Sequence, residues 1–197
     1  MGLEISEQHR VPVILRSTTR VSHSRSLVQY TDRILPERPI GFIKDPPRHV
    51  PIPVWGRVMR QKVEERLSTL QKAAESSPMN RIEWRNRSLG IITEGIAYQY
   101  VREAFPEASI LKLGWPYPFP DRLIREFASV VDLILIVEEL DNILEEHVRA
   151  LGMAGKVIDG KNFVPRIGEL NPTRLFSVRA KLEGRDEIDE SPIAEAK

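Results

Sequence analysis

Apolar residues recur along this chain with two different periods, and the change from one to the other divides it. Between Arg57 and Glu75 the apolar positions Met59, Val63, Leu67, Leu70 and Ala74 fall three or four apart, which predicts a helix with one narrow buried stripe; Ser76, Ser77 and Pro78 end it. From Ser88 onward short apolar runs alternate with amphipathic stretches. Leu89 to Thr93 reads as a strand, Ile96 to Phe105 as a helix, Ala108 to Leu113 as a strand, Asp121 to Ser129 as a helix, Val131 to Val137 as a strand and Asn142 to Leu151 as a helix. Residues 156–182 add a short strand and a last helix ending near Leu182, with Asn171 at its N-cap and Pro172 at its first position. A βαβαβα order predicts an α/β fold over residues 88–182: three layers, α/β/α, around a parallel or mostly parallel sheet with right-handed crossovers.

The first part of the chain follows neither pattern to completion. Leu3 to Arg10 suits a short helix and Val11 to Arg16 (VPVILR) a β-branched strand, so residues 1–33 read as a partial αβ arm. A strand buried on both faces needs neighbouring strands and two helical layers, and the expectation is that this arm docks against another polypeptide or against sequence outside this chain. Residues 34–87 comprise a linker and the striped helix; the stretch 34–56 (ILPERPIGFIKDPPRHVPIPVWG) is dense in proline, which removes amide donors and stiffens the backbone. Residues 183–197 are charged and predict a flexible tail.

Composition narrows the chemistry. Hydrophobic residues make up 41% and charged ones 29%, ordinary for a soluble globular chain, and 29 Lys plus Arg against 28 Asp plus Glu leave a formal net charge of +1, so no global field gathers nucleic acid. The longest apolar run, Val130 to Val137, is interrupted by Asp132 and falls short of the roughly 20 residues of a spanning helix; no signal-peptide pattern opens the chain, and the expected location is cytoplasmic, with no membrane partner. Cysteine is absent, which excludes thiolate nucleophiles, disulfides and cysteine-held iron–sulfur clusters from this chain; any cluster belongs to a partner.

Candidate chemistry sits in the loops at the carboxyl ends of the strands. Thr93-Glu94-Gly95 has one glycine and places a carboxylate where a phosphate would need amides, a faint nucleotide signal. Glu138 and Glu139 follow the most apolar strand. A carboxylate pair there can do acid/base work, but adjacent residues leaving a strand point apart and carboxylates are favoured at a helix start, so the structural reading is the stronger. Trp115 to Pro120 (WPYPFP) either stacks a ligand or forms a rigid crossover with its rings on the sheet. The stretch from Arg16 to Arg25 is the richest in donors: its arginines can fork onto an anion and His23 can move a proton, while its hydroxyls equally suit turns and caps. No Gly-Asp-Gly metal motif, HExxH, GxSxG or Walker loop occurs, and neither a catalytic nor a metal-binding set is assigned.

Several phrases in order carry a resemblance: RVPVILRSTTRVSHSR, GFIKDPPRHVPIP, AESSPMNRIE, LGIITEGIAYQYV, EASILKLGWPYPFP, LILIVEELDNILEEHV and GELNP, together spanning roughly residues 1–178. The chain resembles large subunits of indolepyruvate:ferredoxin oxidoreductases, of the 2-oxoacid:ferredoxin oxidoreductase family. The resemblance implies that residues 1–33 complete a pyrimidine-binding thiamine domain and that the α/β block is like a transketolase C-terminal domain. It implies an assembled enzyme that uses thiamine diphosphate, magnesium, iron–sulfur clusters and coenzyme A to decarboxylate aryl-pyruvates oxidatively and reduce ferredoxin. The activating glutamate of the aminopyrimidine, the magnesium motif and the cluster cysteines are missing from these 197 residues, so the chain alone is expected to bind no cofactor and to act as a non-catalytic component. Its expected partners are the remaining thiamine domains, the small subunit and, through the assembly, ferredoxin. The Arg-Val-Ser-His phrase at Arg20 to His23 is similar to one in pyruvate-type relatives, which places Arg20 and His23 near the cofactor, with Thr18, Thr19 and Ser22 assisting. Two other readings stay open: a free-standing module that binds coenzyme A or a nucleotide at Glu94, Gly95, Trp115, Glu138 and Glu139, and a ligand-free dimerisation domain.

Overall fold

The computed structural model describes residues 1–33 and 41–185; positions 34–40 of the proline-rich stretch and 186–197 of the tail lie outside the described residues. The chain forms two compact units, Met1–Thr69 and Leu70–Lys197.

In the first unit α1 (Gly2–His9) ends at Arg10, whose left-handed φ of 53° lets its amide reach back to the Ser6 carbonyl. Thr19–His23 forms the single turn α2 and Pro46–His49 the turn α3; α4 (Pro53–Glu75) begins here and runs into the second unit. The expected strand from Val11 to Arg16 does not form: these residues carry no ladder, and Ile14 and Leu15 are 90% and 93% exposed. Its composition suits a strand, but a strand exists only through a neighbour's hydrogen bonds, and the described residues of this unit contain none to pair with. The stripe of α4 is real. Met59, Val63 and Leu67 are half-buried, and Leu70 and Ala74 fully so.

The second unit is built on a four-stranded sheet in the order β1-β3-β2-β4, with β1 (Arg81–Glu83), β2 (Asn86–Glu94), β3 (Ala108–Leu113) and β4 (Leu133–Val137). β3, β2 and β4 run parallel as expected. β1 pairs antiparallel with β3, Arg81 opposite Lys112 and Glu83 opposite Ile110, so the sheet is mixed. Alternate residues of each strand face opposite layers. Ile91, Ile110, Leu135 and Val137 pack under α5 (Ala97–Ala104) and α8 (Pro172–Leu182), while Ile92, Leu111, Ile134 and Ile136 pack under α6 (Asp121–Val130) and α7 (Ile143–Val148). Helices therefore cover both faces, the three-layer architecture that the alternating pattern predicts. Past α7 the chain turns on through Arg149–Met153, where Gly152 breaks the helix with φ 92°. The short strand expected after residue 156 is reduced to one bridge between Val157 and Ile134. Asn171 caps α8, its side-chain oxygen accepting the Arg174 amide at 2.9 Å, with Pro172 in the first turn. No described helix is long and apolar enough to cross a membrane.

Candidate functional site

β2 lies between β3 and β4, so the connection through α5 leaves towards one face and that through α6 crosses to the other. The loops after β2 and β4 consequently part at a topological switch point, the place where open α/β sheets take ligands.

Thr93, buried at the end of β2, donates its hydroxyl to the Val137 carbonyl at 2.8 Å and ties the two strand ends together. Glu94 follows half-buried, and Gly95 turns the exposed loop with φ 56°. Across from them Glu138 is 5% exposed, and its oxygens accept the amides of Leu144 at 2.8 Å and Glu145 at 3.0 Å. Those amides belong to the first turn of α7 and have no partner within the helix, so a carboxylate reaching back from the strand end is the natural group to satisfy them. Lys161 donates to the Glu138 carbonyl at 2.7 Å. Glu145, also buried, accepts the Gly160 amide at 3.0 Å and pairs with Arg149 at 2.8 Å. The mouth is thus furnished by its own chain, and the amides that would grip a phosphate at α7 already hold Glu138.

Burial pushes the Glu138 carboxyl above its ordinary 4.5, against the pull of the two amides and of Lys161; the Glu94 charge adds to the rise. Burial likewise lowers Lys161, with Glu138 opposing it. A raised carboxyl means that the folded state holds the proton more tightly than the unfolded chain, so this contribution to stability is complete below the ordinary value and is lost as pH climbs through the folded one. The stability of the native chain minus that of Glu138→Gln is therefore expected to fall as pH rises above about 4.5. Urea unfolding across a pH series measures it, and a difference that grows over that window would contradict the assignment.

At the end of β3 the WPYPFP segment is held from below. Buried Asn80 donates through Nδ2 to the Ala74 and Trp115 carbonyls, each at 3.0 Å, and accepts the Trp115 amide at 2.7 Å. Trp115 is half-buried and its indole N–H donates to the Tyr117 carbonyl at 2.8 Å. Phe119 stacks on His147 at 4.1 Å, and His147 Nε2 lies 2.7 Å from Asp121. Tyr117 is 67% exposed. One ring of the segment thus packs inward and another faces out.

The donor-rich stretch of the arm is an exposed turn. Thr18 Oγ1 accepts the Val21 amide at 3.4 Å as the cap of α2, the Ser17 and Ser22 hydroxyls lie 3.0 Å apart, and Ser24 donates to the Val21 carbonyl at 2.7 Å. Arg20, Ser22 and His23 are exposed on it, as is Thr19. Within this unit the hydroxyls serve the turn. Among the described residues no group of three or more His, Asp or Glu side chains is arranged to hold a metal ion. Sequence reasoning gave no role to Asn80, Glu145 or Lys161; each makes a contact 15 or more positions along the chain, with Trp115, Gly160 and Glu138 respectively.

Indolepyruvate oxidoreductase subunit IorA of Methanothermobacter marburgensis is 41% identical to this chain over 156 residues, which is 76% of the chain and 25% of that relative. IorA of Methanothermobacter thermautotrophicus is 36% identical over 199 residues, covering 95% of the chain and 32% of the relative. Over most of its length the chain is similar to IorA subunits. A third IorA, from Thermococcus kodakarensis, is 36% identical over 211 residues, 96% of the chain and again 32% of the relative. The chain spans about a third of the length of the IorA relatives it matches, and the longer matches take in both of its compact units. No family model and no solved structure matches it.

Proposed function

We propose that this chain is a structural component of an indolepyruvate oxidoreductase, supplying a self-contained α/β unit and an arm that docks against the part of an IorA subunit lying outside the matched third. The observation that carries the reading is the arm: Ile14, Leu15, Leu27 and Tyr30 are 90% or more exposed, far beyond what a soluble chain leaves in water as isolated apolar residues. A β-branched run without a partner strand is a ready element for addition to another sheet. The reaction of the assembly would be oxidative decarboxylation of aryl-pyruvates to acyl-coenzyme A with electrons passed to ferredoxin, in a cytoplasmic complex with the small subunit.

The resemblance implies thiamine diphosphate with magnesium. The residues present do not by themselves fit it: Arg20, Ser22 and His23 are exposed on a five-residue turn, and among the described residues no group of three or more His, Asp or Glu side chains is placed to hold a metal ion. Arg20 and His23 would meet cofactor or substrate only once the rest of the thiamine domains closed over them. The alternative of a free-standing module for coenzyme A or a nucleotide is disfavoured by the mouth of the sheet, where Glu138 occupies the α7 amides and Glu94 adds a second negative charge.

The test is assembly. Co-expressed with a polypeptide carrying the remaining two thirds of an IorA subunit, the chain is expected to co-elute with it, and Ile14→Asp with Leu15→Asp to abolish co-elution while leaving the circular dichroism of the isolated chain unchanged. A chain that elutes alone in both cases would defeat the proposal.

A further inference from the structure

The edge of the sheet furthest from β4 carries charge out of proportion to its length. β1 is terminal in the strand order, so one of its edges meets β3 and the other meets no strand among the described residues. On the face towards α5, Arg81, Arg85 and Arg102 all turn to the one carboxylate of Glu83, at 3.1, 3.5 and 3.9 Å. The Tyr98 ring lies beneath them, its hydroxyl donating to Glu83 and accepting from Arg81. Arg81, Arg102 and Lys112 stand 5.3, 5.7 and 5.0 Å from that ring's centre. Four cations therefore surround one anion on the wall of a nearly neutral protein. Burial works to raise the Glu83 carboxyl, but the Tyr98 hydroxyl and the guanidiniums of Arg81 and Arg102 outweigh it and hold it below the usual range, so Glu83 stays ionised and still leaves the cluster positive. The opposite face of the same edge is apolar. Trp84, next along the chain, stacks on Phe127 at 5.5 Å and leaves 46% of itself exposed.

We infer that the free edge of β1 is a docking site for an acidic, extended segment of a partner polypeptide, added as a further strand. In an added strand alternate side chains face opposite layers, so carboxylates at every second position would meet Arg81, Arg85, Arg102 and Lys112 while the residues between them covered Trp84. That two-sided demand singles out a polypeptide: a phosphate backbone answers the cations and leaves the indole bare. Exposed arginine and tryptophan are also the side chains that most often anchor protein interfaces. Short, charged edge strands resist unselective pairing, and here the charge selects the sign of what is admitted. This goes beyond the scaffold reading and is independent of the arm.

The experiment uses the full chain and a fluorescein-labelled peptide of about six residues alternating glutamate and valine, strand length for such an edge, read by anisotropy against oligothymidylate of matched charge. Saturable binding of the peptide is expected, weakened by salt. Arg102→Glu, on the exposed side of α5 and removable without touching the core, is expected to weaken it at least about tenfold, and Trp84→Ala by several-fold, with unchanged circular dichroism. No binding of the peptide, binding unaffected by Arg102→Glu, or tighter binding of the oligothymidylate would each overturn the assignment, the last by giving the patch to nucleic acid.

Discussion

Replacing Asn80 by alanine is expected to destabilise the α/β unit by about 2–4 kcal/mol, one of the largest effects available outside the apolar core. The side chain is 7% exposed, and all of its hydrogen-bonding capacity towards the chain goes to backbone groups that water does not reach freely: the Ala74 carbonyl at the end of α4, and both the amide and the carbonyl of Trp115. Truncation takes this partner from the amide and carbonyl of Trp115, while the Ala74 carbonyl keeps the Ser77 amide at 3.3 Å; a backbone group left unpaired away from water costs more than the net value of a made bond. The clamp requires two backbones to run unusually close. A Cβ on Gly114 would lie 2.6 Å from the Met79 carbonyl oxygen, so glycine there is a condition of the clamp rather than a loop residue of convenience. Asn80→Asp separates geometry from volume, since it keeps the acceptor for the Trp115 amide and sets an oxygen against two carbonyls. Both variants should unfold at lower urea with an unchanged slope. A loss below about 0.5 kcal/mol in Asn80→Ala would mean that the segment after β3 holds itself.

What could be read from the sequence, and what could not, follows from how local each cause is. The strands Ala108–Leu113 and Leu133–Val137 announce themselves because burial on both faces demands uninterrupted apolar runs. Asn171 followed by Pro172 marks the start of α8 because an N-cap is satisfied three residues away. The preference of Glu138 for a helix start is equally local, six residues from the amide it accepts. β1 escaped notice since three residues with one apolar side chain, Ile82, carry no period, and its existence rests on β3, about 30 residues on. Val11–Arg16 is the converse. Its β-branched composition is right for a strand and no strand among the described residues of its unit completes it, so propensity without a neighbour leaves Ile14 and Leu15 in water. Of the candidate site residues, the strand-end group shares the mouth of one sheet, whereas the polar stretch from Thr18 to His23 forms a separate turn in the other unit. Sequence order says which loops follow strands. It cannot say that Lys161 returns to the Glu138 carbonyl or that Asn80 meets Trp115, because those contacts exist only once the layers are stacked.

The largest loss is expected from Phe127→Ala, about 3–5 kcal/mol, and its value lies in what it does to a second substitution. Phe127 is fully buried on α6 and lies over Gly90 of β2, where a Cβ would come within 2.8 Å of two atoms of the ring and of a methyl of Val131. Gly90 is thus the one place in that strand where the helix settles directly onto backbone, and it falls beside the register shift between β2 and β3. Gly90→Ala alone must push the ring or the strand aside, and overpacking of this kind costs about 1–3 kcal/mol. If the ring is the obstacle, the alanine methyl fits into the space that Phe127→Ala opens, and the double variant should be more stable than the sum of the two losses by about 1 kcal/mol or more. Relief is incomplete because Val131 remains. Adding Val131→Ala should therefore recover a further part, a graded response that a general weakening of the core would not produce. Urea unfolding of the cycle decides the matter: losses that add within about 0.5 kcal/mol would show that Gly90 answers to the strand and not to the helix above it.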